Sequence, residues 1–94
     1  MNPYEALANA IIEQAATDHK NAVKFLNAHP RTEELEADVA AQRIEKQKRR
    51  DERRKLNLPR EREKRSKEER LLDNIAANEL MVSETEKILS LRLV

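Results

Sequence analysis

A basic run between Glu45 and Arg70 holds most of the side chains that could take part in binding chemistry. The run contains 13 of the 19 lysine and arginine residues of the 94-residue chain, against seven acidic residues. Lysine and arginine neutralise phosphates and pair with carboxylates. The run therefore predicts contact with an anionic partner, through Lys46, Arg49, Arg50, Arg53, Arg54, Arg60 and Arg62.

Charge pairing offers a second interpretation of the same run. Acidic residues precede basic ones by four positions, as in Glu45 with Arg49 and Asp51 with Lys55, and such pairs stabilise an exposed helix by about 0.2 to 0.5 kcal/mol each. The sequence pI is about 8.1, below the range typical of nucleic-acid-binding domains, and the run has no aromatic residue for base stacking. Three alternatives stay open: a self-neutralised helix, an acidic protein surface as partner, or DNA or RNA bound by helix 46–55.

Two histidines are the only other residues that suggest chemistry. His19 and His29 lie ten positions apart, with Asp18 beside His19. Ten residues along a helix do not bring two imidazoles to one metal ion, and no third ligand motif accompanies them. No nucleophile and base, phosphate loop or paired carboxylates can be picked out. We therefore expect a protein that is not an enzyme and holds no metal or other cofactor.

Composition favours helices as the elements that position these residues. The chain has no glycine, no cysteine and three prolines, so the usual residues of tight turns are scarce and disulfides are excluded. No apolar run approaches the roughly 20 residues that cross a bilayer, and the N-terminus lacks the pattern of a leader. The sequence predicts one all-α domain over residues 1–94, located in the cytoplasm.

Capping signals predict the first two helices. Asn2, Pro3 and Glu5 are typical of a helix start, and Pro30 predicts an end near residue 28. Thr32 followed by glutamates predicts a second helix over 33–56. The short connection between them favours an antiparallel helical hairpin.

The second half of the chain predicts a kink and further helices. Pro59 interrupts the charged run, with Asn57 as a cap for the next helix. Beyond this kink the pattern predicts a helix over 60–82. Ser83 to Glu86 has the spacing of a capping box, which predicts a C-terminal helix over 84–93.

Apolar residues lie on both sides of the basic run and predict where surfaces meet. In the hairpin, Ile11 and Ile12 would face Arg49 and Arg50, so the C-terminal segment or a second chain must cover the N-terminal half of the first helix. A homodimer or coiled coil is one outcome. The apolar residues predicted to contact a partner or a second copy are Tyr4, Leu7, Ile11, Ile12, Ile75, Val82 and Leu89.

Residues 7–35 resemble the opening of a family of small, uncharacterised helical proteins encoded by phages and integrated elements of Firmicutes. The likeness rests on Ala8, Asn9, Ala10, Ile11, Gln14, Ala15, Asp18, Lys20, Ala22, Leu26 and Pro30. His19 stands where that family usually has an aromatic residue. The resemblance implies a mobile-element origin and stoichiometric binding to a host component, such as a CRISPR nuclease, a polymerase or a repressor.

These observations together predict a non-enzymatic helical protein of phage or mobile-element origin that binds and inhibits or modulates a host macromolecule. A host protein is favoured as partner, with an anti-CRISPR-type inhibitor as one form, and no membrane contact is expected. The alternatives are a DNA- or RNA-binding protein that uses the basic helix, and a structural homo-oligomer.

Overall fold

The computed structural model describes residues 2–91 and contains three α-helices, which confirms the all-α prediction. They are α1 (Pro3–Ala28), α2 (Glu33–Lys55) and α3 (Lys67–Ser90), and no residue of the described range is in a strand. The chain forms two compact units. We call the residues up to Pro30 and from Asn74 onward the terminal unit, and Arg31–Asp73 the central unit.

The first two helices begin at the caps that the sequence predicts. The Asn2 side chain accepts a hydrogen bond from the Glu5 N–H at 2.8 Å, and the Thr32 hydroxyl accepts one from the Leu35 N–H at 3.1 Å. Each bond satisfies a backbone donor that a helix start leaves without a partner. The bounds of α1 match the prediction, and α2 ends one residue before the predicted residue 56.

A Schellman motif ends α2 without a glycine. The Leu58 N–H donates to the Arg53 carbonyl at 2.9 Å, and the Asn57 N–H donates to the Arg54 carbonyl at 3.2 Å. Asn57 takes the left-handed position, with φ of 53°, which asparagine tolerates better than most residues. The predicted cap residue Asn57 therefore closes α2 instead of opening a new helix.

The third helix differs from the prediction at its start. It begins at Lys67 and not at residue 60, because Ser66 is its cap: the Ser66 hydroxyl accepts a hydrogen bond from the Glu69 N–H at 3.1 Å. The predicted kink at Pro59 is accordingly a longer break between α2 and α3.

The predicted restart of the helix at Ser83 does not occur, and α3 continues to Ser90. The Thr85 hydroxyl donates to the Met81 carbonyl at 2.7 Å, so its polar group is satisfied inside the continuous helix. The last part of the predicted helix 84–93 lies outside the described residues.

In the terminal unit, α1 and α3 pack closely around small and branched side chains. Ala15 and Ala22 are buried on α1, and Ile75 and Thr85 are buried on α3. The Nε2 atom of His19 lies 3.6 Å from a carboxylate oxygen of Glu86. The C-terminal segment therefore packs against α1 around Ala15 and Ala22. Tyr4, Leu7 and Ile11 lie in the N-terminal half that the sequence expects the C-terminal segment or a second chain to cover, and they are exposed.

Candidate functional site

A group of polar side chains joins α2 to the start of α3 in the central unit. The Gln42 amide donates to Glu68 at 3.3 Å and its oxygen accepts a hydrogen bond from the Ser66 hydroxyl. The Lys46 ammonium donates to the Glu69 carboxylate at 2.5 Å. We call these five residues the polar clasp, and they hold the cap of α3 against the middle of α2.

The ion pair of the polar clasp is largely withdrawn from solvent. The side chains of Lys46 and Glu69 are 16% and 12% exposed. The hydrogen bond from Lys46 lowers the pKa of Glu69, against an opposing effect of burial. The pKa of Glu68 is lowered by hydrogen bonds from its own backbone N–H and from Gln42. Both carboxylates are therefore charged at neutral pH and hold the clasp together as anions.

Two arginines at the end of α2 hold the segment that comes after it. The Arg50 guanidinium lies 3.3 Å from the Glu63 carboxylate, and that of Arg53 lies 3.0 Å from Glu61. Arg53 also donates to the Pro59 carbonyl at 3.0 Å. The residues after Pro59 therefore run back along α2 in the antiparallel direction.

The predicted basic residues divide into two sets. Lys46, Arg50 and Arg53, which have no acidic residue four positions before them, form ion pairs with more distant residues of the chain. No acidic side chain among residues 2–91 lies within ion-pair distance of Arg49, Arg54, Arg60 or Arg62. Self-neutralisation thus accounts for three of the seven residues and leaves four exposed cations.

An open cavity of about 620 Å³ lies beside the last turns of α2. Its charged lining residues are Arg50, Arg53, Arg54, Arg60, Glu61 and Glu63, so cations outnumber anions by four to two. Leu58 adds an apolar edge. These arginines are spread along the sequence, and the return of the chain after Asn57 brings them around one space.

The predicted apolar residues also divide by their burial. Tyr4, Leu7 and Ile11 are 84%, 60% and 51% exposed, and their spacing of three and four places them on one face of α1. We call these three residues the α1 apolar row. Ile75 is 0% exposed, so it belongs to the core of the terminal unit and not to a partner-binding surface.

The three other predicted apolar residues lie between these extremes. Ile12, Val82 and Leu89 are each half-buried. Ile12 comes directly after the α1 apolar row, whereas Val82 and Leu89 are seven residues apart on α3. They can pack within the terminal unit and still border a surface.

Sequence reasoning missed the residues that organise the central unit. Ser66 and Glu69 have the spacing of a capping box, which predicts a helix start at this point. The charged residues from Arg60 onward instead predict an earlier start, at residue 60. Gln42 carries no signal in the sequence, because its role depends on Ser66 and Glu68 lying more than twenty residues away.

Residues 2–91 contain neither a cluster of metal ligands nor a helix that could span a membrane. No group of three or more histidine, cysteine or carboxylate side chains in this range could hold a metal ion. No helix of the range is long and apolar enough to cross a membrane.

The fold and these surfaces define an all-α protein with a salt-bridged central unit and an apolar row on its first helix. No protein-family model, curated protein or solved structure matches the chain. The phage resemblance of residues 7–35 therefore stays a prediction.

Proposed function

We propose that this chain is a non-enzymatic binding protein that attaches to another protein through the α1 apolar row. The observation that carries the proposal is the exposure of Tyr4, Leu7 and Ile11 on one helical face. Scattered exposed apolar residues are ordinary, whereas apolar residues that adjoin on one face are typical of interaction surfaces.

The spacing of the row favours a particular mode of binding. Residues at i, i+3 and i+7 on a helix are the anchors that enter an apolar groove on a partner. Tyr4 suits such an anchor because tyrosine combines a large apolar ring with a hydroxyl that can stay hydrated. The partner is therefore a protein with an apolar groove long enough for two helical turns.

Charge around the row favours a protein partner over a nucleic acid. Residues 1–30 contain two basic and three acidic side chains, so this surface does not attract phosphates. The phage resemblance supports a host protein as the partner and inhibition as the outcome, with an anti-CRISPR-type inhibitor acting in the host cytoplasm as one form.

The test is affinity capture from nuclease-treated host lysate with the wild-type chain and two double variants. Leu7→Glu with Ile11→Glu places charges in the α1 apolar row. Ile44→Glu with Leu80→Glu is the matched control, because these residues are similarly exposed, at 60% and 62%, and lie on the other two helices. We expect one stoichiometric protein that the row variant loses and the control retains.

Light scattering on the purified chain separates this function from self-association. We expect the mass of a monomer at all concentrations. Capture of no protein, or equal loss in both double variants, would contradict the proposal. A concentration-dependent dimer that only the row variant abolishes would instead identify a homo-oligomer, and would also contradict it.

A further inference from the structure

The arginine-lined cavity of the central unit has features of a binding site that the protein-binding proposal does not use. Arg50, Arg53, Arg54 and Arg60 surround a space of about 620 Å³, and the acidic residues among the described part of its lining are Glu61 and Glu63. The lining thus has a formal charge of +2 at neutral pH. A cavity of this volume accommodates a small ligand or a short part of a larger one.

The arginines on one wall of the cavity have acidic partners within the chain. Glu63 pairs with Arg50, and Glu61 pairs with Arg53. Arg53 is fixed a second time by its hydrogen bond to the Pro59 carbonyl. Such pairs limit the rotamers of long side chains, so less conformational entropy is lost when an anion binds.

The other two arginines supply charge that the protein does not neutralise. Among residues 2–91, no carboxylate lies within ion-pair distance of Arg54 or Arg60. Arg54 lies in the last turn of α2, and Arg60 comes directly after Pro59. Their guanidinium groups keep donors available for a ligand.

The backbone around the cavity reduces a charge effect of the helix end that opposes an anion. The C-terminal end of a helix carries a partial negative charge of about half a unit. Here the N–H groups of Asn57 and Leu58 donate hydrogen bonds to the carbonyls of Arg54 and Arg53, which reduces this partial charge. The remaining effect is small beside the charge of the lining.

The chemistry of the lining indicates the class of ligand. Guanidinium groups match the oxygens of a phosphate with two parallel hydrogen bonds, and arginine is the residue of choice for phosphate recognition. None of the described residues that line the cavity is aromatic, so stacking on a base is not available. The cavity would therefore recognise phosphate groups and not the identity of a base.

We propose that this cavity is a phosphate-binding site in which Arg54 and Arg60 contact the ligand and the paired Arg50 and Arg53 shape the wall. The phosphate groups belong either to a small polyphosphate or to a nucleic-acid backbone. The site is independent of the α1 apolar row, so either proposal can fail without the other.

The test measures binding of two probes, inorganic pyrophosphate and a random-sequence DNA duplex, to the full chain at low salt. Arg54→Gln with Arg60→Gln removes the two free cations of the cavity. Lys48→Gln with Arg49→Gln is the matched control: it removes the same charge from exposed positions of α2 that do not line the cavity. Circular dichroism verifies that both variants keep their helices.

We expect the cavity variant to lose at least about tenfold in affinity, and the control to lose less than about threefold through long-range charge alone. Saturable pyrophosphate binding assigns the site to small polyphosphates. Binding of the duplex alone, with the same selective loss, assigns it to nucleic acid.

Two results would contradict the proposal of a phosphate-binding site. One is that neither probe binds the wild-type chain. The other is that both double variants weaken binding equally, which would show attraction by overall charge and no defined cavity.

Discussion

The two units of this small protein are stabilised by different forces. The terminal unit buries Ala15, Ala22 and Ile75 between two helices. The central unit buries one apolar residue, Val39, and otherwise relies on hydrogen-bonded charges such as Lys46 and Glu69. One chain therefore contains a unit with an apolar core and a unit held together mainly by polar contacts.

This difference in stabilising forces is accompanied by a difference in the kind of surface that each unit exposes. Apolar burial is non-directional and scales with area, so the terminal unit can leave the α1 apolar row exposed without disturbing its core. Charged pairs need defined geometry, and the exposed arginine pairs of the central unit each contribute little stability.

Shortening Ile75 should cause the largest loss of stability. Ile75→Ala leaves a cavity in the core of the terminal unit and should lower the free energy of unfolding by about 2 to 5 kcal/mol, measured by urea denaturation. Leu80→Ala, at a 62% exposed position of the same helix, should change it by less than about 0.5 kcal/mol. If the alanine variant does not fold, Ile75→Val should still lose about 0.5 to 1.5 kcal/mol.

Breaking the polar clasp should have the next largest effect. Lys46→Met leaves the Glu69 carboxylate withdrawn from water without its cation, so stability should fall and the pKa of Glu69 should rise. Lys48→Met, at an exposed position of α2, is the control. Urea denaturation and an NMR titration of Glu69 would measure the two effects, and equal results for the two variants would show that the ion pair contributes nothing.

Acidification should loosen the central unit before the terminal unit. Folding lowers the pKa of Glu68 and Glu69, so their stabilisation is fully present above the ordinary glutamate pKa of about 4.3. It is lost as pH falls below that value towards their lower pKa in the folded protein. Amide hydrogen exchange across this range should show protection fading first in α2. Simultaneous loss in both units would refute the distinction between them.

The left-handed residue that closes α2 predicts a smaller effect. Asn57→Ala keeps the β-carbon but removes the short polar side chain that lets asparagine tolerate the left-handed conformation, and should cost at most about 1 to 2 kcal/mol, measured by thermal unfolding. Asn57→Gly keeps the Schellman motif and should match or exceed the wild type. A loss in the glycine variant as large as that in the alanine variant would contradict the role of Asn57 in the turn.

Removing one exposed ion pair should have the smallest effect. The side chains of Arg53 and Glu61 are 35% and 59% exposed, so Glu61→Gln should cost less than about 1 kcal/mol. The difference from the wild type should vanish near about 1 M salt, where the Debye length is about 3 Å. A loss of stability that persists at high salt would show that Glu61 contributes through packing and not through its ion pair with Arg53.

Local signals in the sequence predict the helices better than their partners. The caps Asn2 and Thr32 specify α1 and α2 because a cap depends on residues three positions away. Ser66 and Glu69 have the same kind of capping signal, but the charged pattern after Pro59 predicts an earlier helix start. The burial of Ile75 and the exposure of Tyr4 could not be predicted. Both residues belong to apolar patterns of predicted helices, and the sequence does not show which apolar face is covered.

Patterns along the chain are thus enough to predict the all-α class, the bounds of α1, the start of α2 and the abundance of cations. Those features depend on propensity, capping and composition, which act within a few residues. The ion pair of Lys46, the position of Arg54 and Arg60 beside one cavity, and the exposure of the α1 apolar row become visible only in the folded chain. These outcomes depend on contacts between residues far apart in the chain, which no local pattern specifies.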